Sequence, residues 1–516
     1  MLATSLLKRD GARLALIFVA YLILHAPLLS LPYFWDEAGH YIPAARDFML
    51  SGDVIPKTTV SNAHPPLPQV YVAAAWSGFG YAPAVTRVAM LLLAAFALVQ
   101  VWRIGERVAD AEAAVAATIL TGLYPVFFAQ SSLAHADLMA TALTLWGLRL
   151  YLEGSRWTFA ALSLAVMAKE TAAVVPVVLL AWELWQRRPA GTAEAVSFRN
   201  RALRRNVLLL VVPVAVLAGW FAYHYFRTGF VFGNPEFFRY NVATTLEPLR
   251  ILLAAMRRMW QVTGYMNLWV LTVAMAAAML LPPLVNKDGT TRERIAIPTQ
   301  LLFLALILAY VVGHSLIGGA VLARYMMPVL PLVVLIAVST LWRRVPRWRL
   351  LAGFVAVTFV AGLFVPPLTS FAPEDNLNYA SYVRLHQRAA GYLQERYPRA
   401  TVLTAWPASD EVAHPYLGYV QTPMKVVRVE HFSFDQVMLA RQNADYDVAF
   451  VFSTKTPRRR LRWEWWNRAN EKFFDLHQDL SPALAAELLG GRVVMQENEN
   501  AQWVAVVEIN RSRNAD

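Results

Sequence analysis

The sequence predicts a polytopic α-helical membrane protein that ends in a small α/β soluble domain. Three observations carry this. Hydrophobic residues make up 57% of the chain and charged residues 16%, against about 25% charged in soluble domains. Apolar runs long enough to span a bilayer recur from Ala12 to about Leu368 and then stop. After Pro373, helical and strand patterns alternate. We therefore divide the chain into a membrane part, 1–371, and an α/β domain, 372–516. The net charge of +12 does not point to nucleic acid, because the arginine clusters sit between the apolar runs. The chain has no cysteine, which excludes disulfides and thiolate metal sites.

The candidate spans run over about 14–31, 83–102, 111–129, 134–152, 157–168, 171–186, 205–226, 264–282, 297–318, 321–341 and 348–368. Lys8, Arg9 and Arg13 precede the first, which lacks a clear small-residue cleavage site and reads as a retained helix. The 157–168 and 171–186 pieces are short and flank Lys169-Glu170, as a broken hairpin would. Positive charge tests the count. Arg187, Arg188, Arg199, Arg201, Arg204 and Arg205 share one loop; Lys287, Arg292 and Arg294 share a second; Arg343, Arg344, Arg347 and Arg349 share a third. With a cytoplasmic N-terminus, eleven spans put all three loops in the cytoplasm. The acidic 32–82 loop and the C-terminal domain then lie outside, at the cytoplasmic (inner) membrane.

The outer loops carry structure of their own. Tyr41, Ala45 and Phe48 recur at helical spacing within 37–50, which predicts a surface helix. Segments 66–80 and 246–261 are similar, the latter mixing arginine with a strong apolar face. In the C-terminal domain, 378–396 reads as an amphipathic helix. ATVLTAW, KVVRVE and YDVAFVFS read as short buried strands, and GRVVMQ with AQWVAVVEI as a hairpin. Arg458, Arg459, Arg460 and Arg462 beside Trp463, Trp465 and Trp466 form a basic-aromatic cluster. It suits docking to anionic headgroups or holding an anionic acceptor.

On this topology polar residues from five segments converge on the outer face: Asp36 and Glu37, His64, His135 and Asp137, Lys169 and Glu170, Arg324 and Tyr325. Ionisable groups near membrane depth usually face a cavity and do work. Cations stabilise charge on a departing phosphate, and a carboxylate accepts the proton of an attacking hydroxyl. Lys169, Arg324 and His64 would be the cations and Asp36 the base. Each has a plainer reading. Asp36-Glu37 and Asp137 would cap helices, Lys169-Glu170 would be a solvated turn, Arg324 would snorkel to headgroups with Tyr325 an interfacial aromatic, and His64 would only precede the Pro65-Pro66 turn.

These segments resemble the GT-C glycosyltransferases, in particular the bacterial branch related to protein O-mannosyltransferases and lipid A aminoarabinose transferase. FWDEAGHY is similar to that family's first-loop Asp-Glu motif, and NAHPPLPQVYVAAAWSGFGYAP to its His-Pro-Pro-Leu segment. HADLMATAL, MAKETAAVVP and ARYMMPVLPLVVL resemble its second Asp, its Lys and its Arg-Tyr-Pro segments. The resemblance covers roughly 12–345 and leaves the C-terminal domain out. It implies a GT-C type fold, a polyprenyl-phosphate sugar donor and inverting transfer outside the cytoplasm. It implies Asp36 as catalytic base with Glu37 its close partner, and Asp137 supporting the acceptor or the acid cluster. Lys169 and Tyr325 would contact the donor phosphate, with Arg324 nearby. His64 stands where the aminoarabinose transferases carry Lys, which weakens transfer of their particular sugar. A divalent metal ion is left open, as are the acceptor (protein, glycan or lipid) and the sugar. Two other classes compete: a lipid or glycan transporter, which would show inverted repeats and mid-membrane charge, and a non-catalytic subunit of the same fold.

Overall fold

A computed structural model of the chain describes residues 2–186, 193–235, 238–239, 245–365, 372–455, 463–474 and 479–510. A helix lies on each of the eleven candidate segments: Leu2–His25, Pro83–Val108, Ala111–Leu123, Ala136–Leu152, Thr158–Ala168, Val174–Trp185, Ala193–Thr228, Leu268–Ala278, Ile297–Leu316, Leu330–Arg344 and Trp348–Phe364. Four stretches within them, Arg9–Leu28, Pro83–Val108, Val207–Thr228 and Ile297–Leu316, are long and apolar enough to cross a membrane by themselves. Several others are shorter than expected, for local reasons. The 111–129 run breaks at Tyr124, whose extended backbone precedes Pro125, so a second helix, Pro125–Gln130, follows. The 321–341 run opens as a 3₁₀ turn, Ala323–Met326, before Pro328, and its helix starts at Leu330. Outward faces are apolar at helical spacing, as at Leu301, Leu304, Leu308 and Val312, or Leu350, Phe354 and Val357. A soluble bundle would turn such faces inward.

The outer segments fold as their periodicity predicts, into helices Ile42–Ser51, Leu67–Phe79 and Pro248–Thr263. The last is inverted relative to a soluble helix. Arg250 and Arg258 are buried, while Leu249, Leu252, Met256 and Trp260 are exposed.

The C-terminal region forms a five-stranded sheet of order β2-β1-β3-β5-β4, with β1 Thr401–Ala405, β2 Lys425–Val429, β3 Val448–Phe452, β4 Gly491–Glu499 and β5 Gln502–Ile509. The first three strands pair in parallel, and the β4–β5 hairpin joins β3 antiparallel. Helix Asn378–Arg396 packs on the sheet. Its Tyr379 and Tyr382 meet Phe34 with ring centroids 5.8 and 5.3 Å apart, so the hydrophobic core continues from the bundle into the sheet. Of the basic-aromatic cluster, the arginines lie outside the described residues, and Trp463 and Trp465 are exposed.

Candidate active site

Asp36 begins a tight five-residue turn, Glu37–Tyr41, that feeds helix Ile42–Ser51. The residue before it, Trp35, has φ of 44°, a backbone state that costs a bulky residue about 1–3 kcal/mol and needs surrounding support. The support comes from the C-terminal region. The Trp35 ring lies edge-on between Tyr382 (5.5 Å) and Trp406 (5.3 Å). Trp406 also packs so closely on Gly39 that any side chain there would overlap it.

The two carboxylates of the Asp-Glu pair point to different partners. Glu37 is fully buried. Its Oε1 accepts from Arg87 Nη1 and from the Ala134 amide, both at 2.5 Å, and its Oε2 from the Phe34 amide at 2.9 Å. Arg87 is equally buried and also donates to the Ser132 and Pro32 carbonyls. Glu37, expected beside Asp36 in the chemistry, is instead held by three donors that Asp36 does not share. The geometry gives it the work of fastening the 32–41 turn to the bundle. Asp36 keeps 22% of its side chain exposed, and its Oδ2 accepts from Arg324 Nη2.

Arg324 joins the separate segments. It is 2% exposed, so it does not snorkel. Its Nε lies 3.3 Å from Asp137 Oδ2, and its Nη1 lies 2.8 Å from Glu374 Oε1 and 2.9 Å from His135 Nδ1. Lys169, also buried, donates to Asp137 Oδ1 at 2.7 Å. Its ammonium sits 4.1 Å from the Tyr325 ring centroid, close enough for a cation–π contact. The solvated-turn reading of Lys169 thus fails. Its extended backbone interrupts the apolar run and turns the side chain into the bundle. His64 Nδ1 pairs with Glu170 Oε2 at 2.8 Å, tying the first loop to the Lys169 tip. So the structure joins Asp36, Asp137, Lys169, Arg324 and Tyr325 in one network. It sets His64 on the neighbouring Glu170 and Glu37 behind the site.

Three participants were missed from sequence. Arg87 had a signal, a lone charge four residues into an apolar span. Glu374 had none, since Pro373-Glu374-Asp375 matches no motif. Burial pushes its carboxyl up to about 8, although Arg324 pulls the other way. Arg258 hid in an amphipathic helix. With Arg250 it donates to the carbonyls of Gly318, Gly319, Ala320 and Leu322, fixing the segment that presents Arg324. Among the described residues no group of three or more His, Asp or Glu side chains is placed to hold a metal ion.

No protein-family model matches the chain, and no curated protein sequence matches it. Solved structures do. The structure of ArnT from Cupriavidus metallidurans in the apo state superimposes with a TM-score of 0.52 at 14% identity, covering 98% of both chains. The same protein bound to undecaprenyl phosphate gives 0.51 at 14% identity with the same coverage. At such identity the likeness speaks for the fold, and it includes the C-terminal region that the motifs left out. The chain has the fold of the GT-C glycosyltransferases, the class its motifs resemble.

Proposed function

We propose that the chain is a membrane glycosyltransferase that moves one sugar from a polyprenyl-phosphate donor to an acceptor outside the cytoplasmic membrane. The observation that carries this is the buried network in which two cations, Lys169 and Arg324, meet Asp36 and Asp137 at one end of a membrane bundle. Phosphate departure needs cations in a water-poor site, and the acceptor needs a base beside them. That a similar structure holds undecaprenyl phosphate supports the donor class.

In the proposed reaction the acceptor hydroxyl gives its proton to Asp36. Its oxygen then bonds to the anomeric carbon, while the bond from that carbon to the phosphate oxygen breaks. The polyprenyl phosphate leaves with the electron pair, its charge met by Lys169 and Arg324. Attack opposite the leaving group inverts the centre. Arg324 has a double role. While it holds Asp36, the carboxylate is engaged; a donor phosphate that takes the guanidinium releases the base. Tyr325 orients Lys169, Asp137 holds both cations in register, and His64 keeps the Lys169 tip in place through Glu170.

Eleven spans, a cytoplasmic N-terminus, a boundary at 371/372 and an external α/β domain complete the proposal. A helix on every candidate segment supports the count. Asp36→Asn, Lys169→Ala and Arg324→Ala proteins should insert normally and lose transfer from a radiolabelled polyprenyl-phosphate sugar. Full activity in all three would sink the site. Loss of a general base costs about 10²–10⁴-fold, so a much smaller loss in Asp36→Asn alone would point to a lipid phosphate acceptor, which needs no strong base.

A further inference from the structure

Three carboxylates, Asp36, Asp137 and Glu374, contact two cations, Lys169 and Arg324. With all three ionised the cluster is formally one charge negative, a poor host for a phosphate. One neutral carboxyl restores balance, and Glu374 is the member built to be that one. Asp137 is paired to both cations, and Asp36 faces the exposed side. Glu374 is 4% exposed and, of these two cations, meets Arg324, through Nη1. Hydrogen bonds tie down its backbone and its neighbours. Gln130 Nε2 donates to its carbonyl, Tyr265 donates to the neighbouring Asp375 at 2.5 Å, and Asn376 donates to the Gly362 carbonyl.

We propose that Glu374 is a positioning residue of this site, acting through Arg324: neutral, it seats Nη1 and leaves the guanidinium charge to a phosphate; ionised, it competes with that phosphate. The inference rests on the donor reading above. It makes the start of the C-terminal region a working part of the site.

The groups facing Glu374 define its titration. Arg324 favours ionisation, whereas burial, Asp36, Asp375 and Asp137 oppose it; His135 shares Arg324 Nη1. The carboxyl rises from 4.5 to about 8. Between those values the folded chain keeps a proton that the unfolded chain has released, so this group lowers stability as pH rises through the window.

The test uses full-length protein in detergent, with E374Q, E374A and, as control, D375N. Thermal midpoints without lipid and binding of undecaprenyl phosphate are followed from about pH 6 to about pH 9.5. Wild-type binding should weaken up to about tenfold per pH unit above about 8. E374Q should bind at high pH as wild type does near pH 6 and should flatten the pH slope of the midpoint. E374A should bind more weakly than wild type near pH 6 and lose the pH dependence, and D375N should keep a slope that ends at lower pH, because Asp375 helps hold the Glu374 proton. Wild-type binding that stays flat throughout would overturn the proposal without any variant. So would an E374Q protein with the wild-type slope in its lipid-free midpoints. A flattened E374Q slope with no binding by any protein would instead overturn the donor reading.

Discussion

The two ends of the bundle each carry a charge network, and they differ in burial. At one end Asp10, Arg13, Arg103, Glu106, Arg149 and Glu153 interlace the first, second and fourth of the eleven helices, with contacts of 2.5–3.7 Å. Their side chains stay 17–29% exposed. At the other end Asp137, Lys169, Arg324 and Glu374 are 3–6% exposed, and only Asp36 reaches outward. The first network balances three acids against three bases in partial contact with solvent, where each pair contributes at most about 1 kcal/mol. The second gives up hydration worth several kcal/mol per ion and lies next to Trp35, whose backbone is strained. A fold seeking only stability would have no reason to assemble it. The contrast teaches where in this molecule charge serves chemistry and where it serves packing.

Substitutions can break this comparison. The largest effects belong to the buried network: Asp36→Asn should lose about 10²–10⁴-fold in sugar transfer with a hydroxyl acceptor, read with the protein monodisperse and its thermal midpoint kept. Next, Glu37→Gln leaves the Arg87 charge buried without its carboxylate. It should cost about 3–5 kcal/mol of stability, seen as a lower thermal midpoint, and activity should fall only as folded protein is lost. A normal midpoint with abolished turnover would return Glu37 to the catalytic set. Arg258→Ala strips donors from the Ala320 and Leu322 carbonyls and should cost about 1.5–3 kcal/mol. Its signature is weaker undecaprenyl phosphate binding, because the segment carrying Arg324 loosens. Smallest of all, Arg103→Gln or Arg149→Gln at the opposite end should shift stability by less than about 1 kcal/mol and leave transfer unchanged. A large activity loss there would erase the distinction between the two ends.

Much of this was legible in sequence. Long apolar runs marked the eleven segments, and helical spacing marked the outer segments 37–50, 66–80 and 246–261, which fold as helices 42–51, 67–79 and 248–263. Short apolar runs marked the first three strands and a polar turn marked the hairpin of the other two, and the order of motifs pointed to the fold. The shortened helices at 125 and 330 also had their cause in view, in Pro125, Pro328 and Pro331. Arg87 was visible and passed over; a charge inside a span is itself a signal.

By itself the sequence determined which stretches are apolar helices, where charge interrupts them and which residue types gather at the loops. Those are consequences of local spacing and of the cost of placing charge in lipid. Only the tertiary structure decided that Asp36 and Glu37, neighbours in the chain, part company: one turns to Arg324, the other to Arg87. It also decided that Glu374, 50 residues beyond Arg324, closes the same cluster. Such pairings depend on how distant segments bury one another's charges, and no local pattern encodes that.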